Sequence, residues 1–506
     1  MTFPRLTFQT LAVFSAISVL LSVALMAARI ATAVSFSEPL QLTTSGWEQE
    51  TLYPIWKALN GHVVYPDPYK IPFAATFYNW LFIEAYAVFS GAVLSIFSLA
   101  DAWLPTAGRF LTLGFLFIGT ALSYATFLLF LNPPDRPMKI LCLSFAAAIF
   151  FGTLVGFWGF TVRADIGALL FEILGVYVFW KFYPSRPYRA VLLFAIAAYC
   201  AWGFKQVDIV SNVAVGFFLL YRRDWKPLFL LICVLLAAYL ATFAIGGPLY
   251  IRGFYESSRL GYSLAQFAVN ISNFALKASP FLAALGALAL AGAASPRWRR
   301  AWLADDKSVF ALIGLGSAMA INFLISTKVG SADNYYFVLS FFIALATLKG
   351  YDLIREDIET GESQIPLKGA LGISTLGWAT NIAAVAAVFI GIKGIVSVAP
   401  QHEFYSTIKN CAAKLPKPVF VDNAYLSLPW MSPGEHHFVV SYSYPMDRGL
   451  GLPFEKGGIG GMIREGYFSS LLLHEKNKGV YDGATLDGYK KQAAPCRSFV
   501  PYIRVK

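Results

Sequence analysis

The chain has 506 residues, 57% of them hydrophobic and only 14% charged, with a formal charge of +11 and a mean hydropathy of +0.58. A soluble globular chain carries roughly 25% charged residues, so this composition excludes an ordinary soluble enzyme. Apolar runs recur along the first 400 positions and mark a polytopic membrane protein.

In lipid every backbone polar group must be paired within the protein, so the runs are predicted to be helices. The short alternating segments of a β-barrel are missing. The helical runs are read at 8–33, 78–98, 109–131, 139–160, 165–182, 187–203, 207–221, 227–246, 276–293, 308–326, 334–349 and 369–397. The first follows a short N-terminus carrying Arg5 and is too long for a signal-peptide core, so it reads as a retained helix. Two long polar interruptions, 35–77 and 247–275, separate the runs. From about residue 400 the composition changes. Residues 1–399 are expected to form the membrane domain and 400–506 a small mixed α/β domain, with strands at Pro418–Asp422 and His437–Val440. Cys411 and Cys496 lie in this tail and would form a disulfide if it faces an oxidising compartment.

Orientation follows from Lys and Arg in short loops, which collect on the cytoplasmic side. Four loops qualify: Lys181 to Arg189, Arg222 to Lys226, Arg297 to Lys307, and Lys349 to Lys368. This bias also explains the net positive charge without a nucleic-acid partner. It places the breaks at Arg163–Asp165, Lys205–Asp208, 247–275 and Lys328–Asn334, with the C-terminal domain, on the outer side. Twelve crossings would then put loop 35–77 on the wrong side. Eleven or thirteen are expected, with one run among the second to fourth failing to cross or one crossing hidden. The glycine- and aromatic-rich 148–160 stretch is the one singled out.

The candidate chemistry sits in the outer loops. Glu48 and Glu50 flank Gln49 at the membrane boundary, and Tyr53, Trp56, Lys57 and Gly61 follow at roughly helical spacing, as in a short helix lying in the interface. Arg163 and Asp165 bracket a break between two apolar runs, where ionisable residues are costly and usually have a purpose. Lys205 is a mobile point charge suited to phosphate. Tyr255, Glu256 and Arg259 stand in the second long loop, and Arg offers a bidentate fork. Lys328, Asn334 and Tyr335 surround a glycine-containing turn that opens the next helix. There is no P-loop, Rossmann fingerprint, nucleophile elbow or zinc-type histidine spacing. No metal site is expected, although room for a divalent ion remains.

The ordered set resembles the GT-C glycosyltransferase superfamily. It comprises an acidic pair opening a long first outer loop, then Tyr53-x-x-Trp56, Gly61 and Tyr65-x-Asp67-Pro68, the Arg163–Asp165 break, the Lys205-Gln206 pair and the Gly330–Tyr336 turn. It is most similar to bacterial polyprenyl-phosphate-sugar transferases of the kind that modify lipid A with aminoarabinose, and to protein O-mannosyltransferases. The resemblance implies a GT-C fold and a carboxylate base in the first outer loop. It implies a polyprenyl-phosphate-linked sugar as donor, a membrane lipid environment, a hydroxyl-bearing acceptor and no cofactor. Relatives often open the loop with Asp-Glu, whereas this chain has Glu48-Gln49-Glu50, so both glutamates stay candidates for the base. The expected catalytic set is Glu48, Glu50 and Asp165. Transfer would be inverting, in a bacterial inner membrane, with the site and tail on the periplasmic side. The competing class is a transporter or flippase of lipid-linked sugars, but the paired halves typical of transporters are not visible.

Overall fold

The structure is a computed structural model. It describes residues 3–34, 47–132, 134–258, 261–294, 296–359, 365–391, 400–422, 427–431, 436–440, 443–474, 485–493 and 496–505. The expected domain boundary near residue 400 adjoins 392–399, outside the described residues.

The membrane part is a helical bundle whose two ends are marked by polar contacts. At the lower end Lys349 pairs with Asp305 at 3.2 Å and Lys307 Nζ donates to Leu129 O at 2.6 Å. There too the backbone N–H of Asn132 donates to Asp352 at 3.1 Å, and Arg222 pairs with Asp306 at 3.0 Å. At the upper end Arg109 donates to Ala33 O at 2.9 Å and Lys205 pairs with Asp165 at 2.6 Å.

Among the described residues eleven helices run between these ends. Seven are long and apolar enough to cross a membrane, and they lie in α1 (Phe3–Val34), α4 (Leu104–Phe130), α7 (Pro187–Phe204), α9 (Trp225–Ser258), α13 (Asp306–Ser326), α14 (Phe337–Glu359) and α15 (Ile365–Gly391). An eighth, α11 (Ser279–Ala294), is preceded by α10 (Leu264–Lys277) at an 89° bend. The other three are α5 (Arg136–Phe151), α6 (Ala164–Phe182) and α8 (Val210–Tyr221), which are short or, in α6, interrupted by Asp165, Glu172 and Lys181. The short α12 (Pro296–Ala304) links two of the traverses at the lower end.

Two helices remain at the upper end, α2 (Trp47–Leu59) and α3 (Trp80–Ile96). α3 corresponds to the expected second crossing, and it does not cross. At its start Asn79 caps Trp80 N and donates to Trp202 O at 2.8 Å, at the upper end of α7. Just past its end Asp101 accepts from Trp56 Nε1 of α2 at 2.7 Å. Both ends therefore lie at one end of the bundle. The 148–160 stretch is not the exception: α5 runs up into it, to the end where Thr153 donates to Lys277 O. An in-plane apolar helix and a spanning one have the same hydropathy, so only tertiary contacts separate them.

The tail holds α16 (Pro400–Ala413), β1 (Val419–Val421), α17 (Ser443–Gly449), α18 (Gly458–Arg464), β2 (Ser470–His474), β3 (Tyr489–Lys491) and β4 (Phe499–Arg504). The sheet order is β1-β2-β4-β3, with β1 parallel to β2 and the other pairs antiparallel. Side chains alternate across it. Phe420, Leu471 and Leu473 face a core with Phe454 and Met462, while Val421 and Leu472 join Tyr405 and Ile408 of α16. The expected strand at 437–440 stays outside the sheet, although Phe438 and Val439 are buried in the core. Cys411 and Cys496 are bonded. The outer loop is tied to this tail: Phe73 enters the sheet's core, and Tyr69 O accepts from Glu455 N at 2.9 Å.

Candidate active site

The upper end of the bundle holds a cavity whose charged lining is Glu50, Arg163, Lys205 and Lys328. Phe77, Tyr78, Gln206, Gly330, Asn334 and Tyr335 complete most of the wall. Three basic side chains and one acid thus meet in one lining.

The two glutamates of α2 have separate fates. Both stand in its first turn, where acids favour the helix dipole. Glu48 turns into the protein. Its carboxylate takes Arg109 Nε at 3.1 Å and Nη2 at 2.9 Å, and accepts Val162 N–H at 2.9 Å. Both partners of the ion pair are fully buried. Thr51, one turn on, donates to Val162 O at 2.5 Å. Glu48 thus pins α2 to α4 and to the 161–163 turn, away from the cavity lining. Glu50 is half-buried, lines the cavity, and interacts electrostatically with Arg163 and Tyr78.

Asp165 stands behind the wall as a hub. Its Oδ1 accepts from Lys205 Nζ at 2.6 Å and Asn334 Nδ2 at 2.5 Å, and its Oδ2 from Arg163 Nε at 3.3 Å. One carboxylate at the start of α6 thereby gathers three cavity residues from three separate breaks in the helices. Aromatic faces finish the job. The Arg163 guanidinium lies 5.1 Å from the Tyr78 ring and 4.8 Å from Trp158, and Lys205 lies 4.3 Å from Tyr335.

Lys328 arrives on a turn held from the side. Ser263 N donates to Thr327 O at 2.7 Å and Val329 N to Gly261 O at 2.8 Å. Asn270 of α10 donates to Ser326 O at 2.9 Å and Ser331 Oγ at 2.7 Å. Gly330 has φ +81°, a left-handed conformation that glycine adopts without strain. Burial and the neighbouring charge of Lys205 push the Lys328 ammonium down to about 8. Burial likewise raises Asp208, 4.0 Å from Lys205, to about 6.

The remaining expected site residues are Tyr255, Glu256 and Arg259. Tyr255 is 62% exposed and outside the lining. Arg259 and the side chain of Glu256 lie outside the described residues. Sequence reasoning misses Arg109, whose signal is an arginine inside an apolar run, the wall residues Phe77 and Tyr78, and Trp158, which packs against Arg163. Among the described residues no three His, Cys, Asp or Glu side chains gather as a metal set.

No protein-family model matches this chain, and no curated protein matches it in sequence. Among solved structures it is similar to ArnT from Cupriavidus metallidurans bound to undecaprenyl phosphate, at 12% identity and a TM-score of 0.50, over 96% of this chain and 98% of that one. The likeness shows the fold: a multi-pass helical membrane protein of ArnT-like architecture followed by a small C-terminal sheet.

Proposed function

We propose that this protein is an integral-membrane glycosyltransferase. In this reading it moves a sugar from a polyprenyl-phosphate donor to a hydroxyl-bearing acceptor at the outer face of a bacterial inner membrane. The carrying observation is that one acid, Glu50, faces three cations, Arg163, Lys205 and Lys328, in a single cavity at the end of an apolar bundle. A lipid-linked anion is the ligand such a place suits. The likeness to a fold solved with undecaprenyl phosphate supports that choice.

In the reaction Glu50 takes the proton of the acceptor hydroxyl, and that oxygen attacks the anomeric carbon. The bond from that carbon to the phosphate oxygen breaks, with inversion, and the electron pair leaves with the polyprenyl phosphate. Lys328 and Lys205 meet the charge that develops there, so no proton donor is required. Asp165 positions Lys205, Arg163 and Asn334, and Glu48 positions the helix that carries Glu50. The Cys411–Cys496 bond and the basic lower loops support an outer-face location for the cavity and tail.

The test is Glu50→Gln in purified protein with a lipid-linked donor. Transfer is expected to fall 10²- to 10⁴-fold while donor binding survives. Transfer within a few-fold of wild type overturns the assignment. Sugar movement across sealed vesicles without transfer would favour a flippase instead.

A further inference from the structure

The segment that brings Lys328, Gly330, Asn334 and Tyr335 to the cavity is gripped along its length by α10. Gln266 donates to Ser331 O at 3.0 Å, one turn before Asn270 reaches Ser326 O and Ser331 Oγ. A turn further on, the ring of Phe274 lies 4.6 Å from that of Tyr336. Lys277, the last residue of the helix, pairs with Asp333, the neighbour of Asn334. At 100° per residue Gln266, Asn270, Phe274 and Lys277 fall on one side of α10, and that side is turned into the protein.

The opposite side has the composition of a protein interior. It carries Leu264, Val269 and Leu276, which are 81%, 54% and 78% exposed, with three alanines and one serine between them and no charged residue. A helix with its amides and its ammonium turned in and its leucines turned out is inverted relative to one at a water surface. Such a strip is stable only against something apolar. The bend at Lys277 says what that is. α10 meets the traverse α11 at 89°, at the upper end where Thr153 holds Lys277 O, so its axis lies in the plane that the traverses cross. Phe267 of α10 packs on Phe323 of the crossing helix α13 at 5.9 Å, and the next residue, Leu324, is 64% exposed. The outward side of α10 therefore continues the apolar belt of a helix that crosses the membrane.

We propose that α10 is seated in the bilayer leaflet at the upper end of the bundle, with Leu264, Val269 and Leu276 among the lipid chains, and that this seat fixes the turn carrying Lys328 and Asn334. The leaflet supplies the apolar contact, and Asn270 and Lys277 pass the position of the helix to the cavity. Neither the seat nor the grip depends on sugar transfer, so the proposal stands or falls apart from the transferase reading.

The full-length protein with Cys142, Cys200 and Cys233 replaced by serine keeps the Cys411–Cys496 bond and takes a nitroxide label at Val269→Cys. In phospholipid vesicles the label is expected to collide with oxygen more often than with a water-soluble nickel chelate, at a depth of roughly 5–10 Å. Greater access to the chelate puts this face in water and overturns the proposal. Shielding from both reagents means that protein covers the face, and overturns it as well. Hydrogen exchange reads the grip. Val269→Glu is expected to speed exchange across 326–336 about tenfold, while β2 and β4 keep their rates and Val269→Leu matches the wild type throughout. Unchanged exchange across 326–336 in Val269→Glu overturns the coupling, and so does a rise shared equally by β2 and β4.

Discussion

Arg109 closes on Glu48 through two hydrogen bonds, at 3.1 and 2.9 Å, in a pair with no exposed surface on either side. Removing one partner strands the other charge in the interior, at a cost of about 3–5 kcal/mol. Glu48→Gln and Arg109→Met should each lower Tm sharply, and the double variant should recover part of the loss. In the folded fraction of each, kcat should fall less than in Glu50→Gln, because the pair positions the helix without supplying the base. A Glu48→Gln protein with wild-type Tm and lost turnover would instead make Glu48 the base.

Asp165 and Lys205 act as one unit. Asp165→Asn and Lys205→Ala should each raise the donor KM, and the double variant should be less impaired than the two effects combined. The coupling is expected within roughly 0.5–3 kcal/mol. It is measured as a double-mutant cycle on kcat/KM, and simple additivity would separate the hub from the cation it holds.

The sequence announces this unit and conceals the previous one, for a physical reason. Arg163, Asp165, Lys205, Lys328 and Asn334 interrupt apolar runs, and polar groups at such depth are expensive enough to be conspicuous. Glu48 and Glu50 are equally conspicuous, yet two positions along a helix differ by about 200° in direction. Both cannot face one cavity, and which of them does depends on Arg109, sixty-one residues further on. The fold divides in the same way. Most traverses could be read from hydropathy, whereas α3 is apolar for the sake of lying flat against α2 and α4, and no local property distinguishes that from crossing.

If the cavity binds the donor as proposed, Lys328 gives that binding a pH dependence. With its ammonium pushed down to about 8 by burial, it is charged below that pH and neutral above it. Donor KM should therefore rise as pH climbs through 8, and Lys328→Arg should flatten the profile. Stability moves the opposite way. The folded state releases this proton before the unfolded chain does, so the fold gains stability between pH 8 and the ordinary lysine value of 10.5. A KM that is flat from pH 7 to 9 would remove Lys328 from donor binding.

Gly330 supplies a conformational test of the same turn. A Cβ there meets no neighbour within 4 Å, so the penalty for a side chain comes from φ +81° alone. Gly330→Ala should cost about 1 kcal/mol and weaken donor binding, while Gly330→Asn, which tolerates this region, should cost less. Equal effects from the two substitutions would point to lost chain flexibility rather than to the dihedral.

Phe73 lies in the core of the C-terminal sheet, and four residues later Phe77 lines the cavity. The stretch between them is short, so under the proposed function the tail is expected to splint the loop that carries Phe77. A chain cut after α15 would lose its sheet and also leave Phe73 without a socket and Phe77 without a fixed address. The smallest active unit of this protein is therefore expected to include the C-terminal sheet.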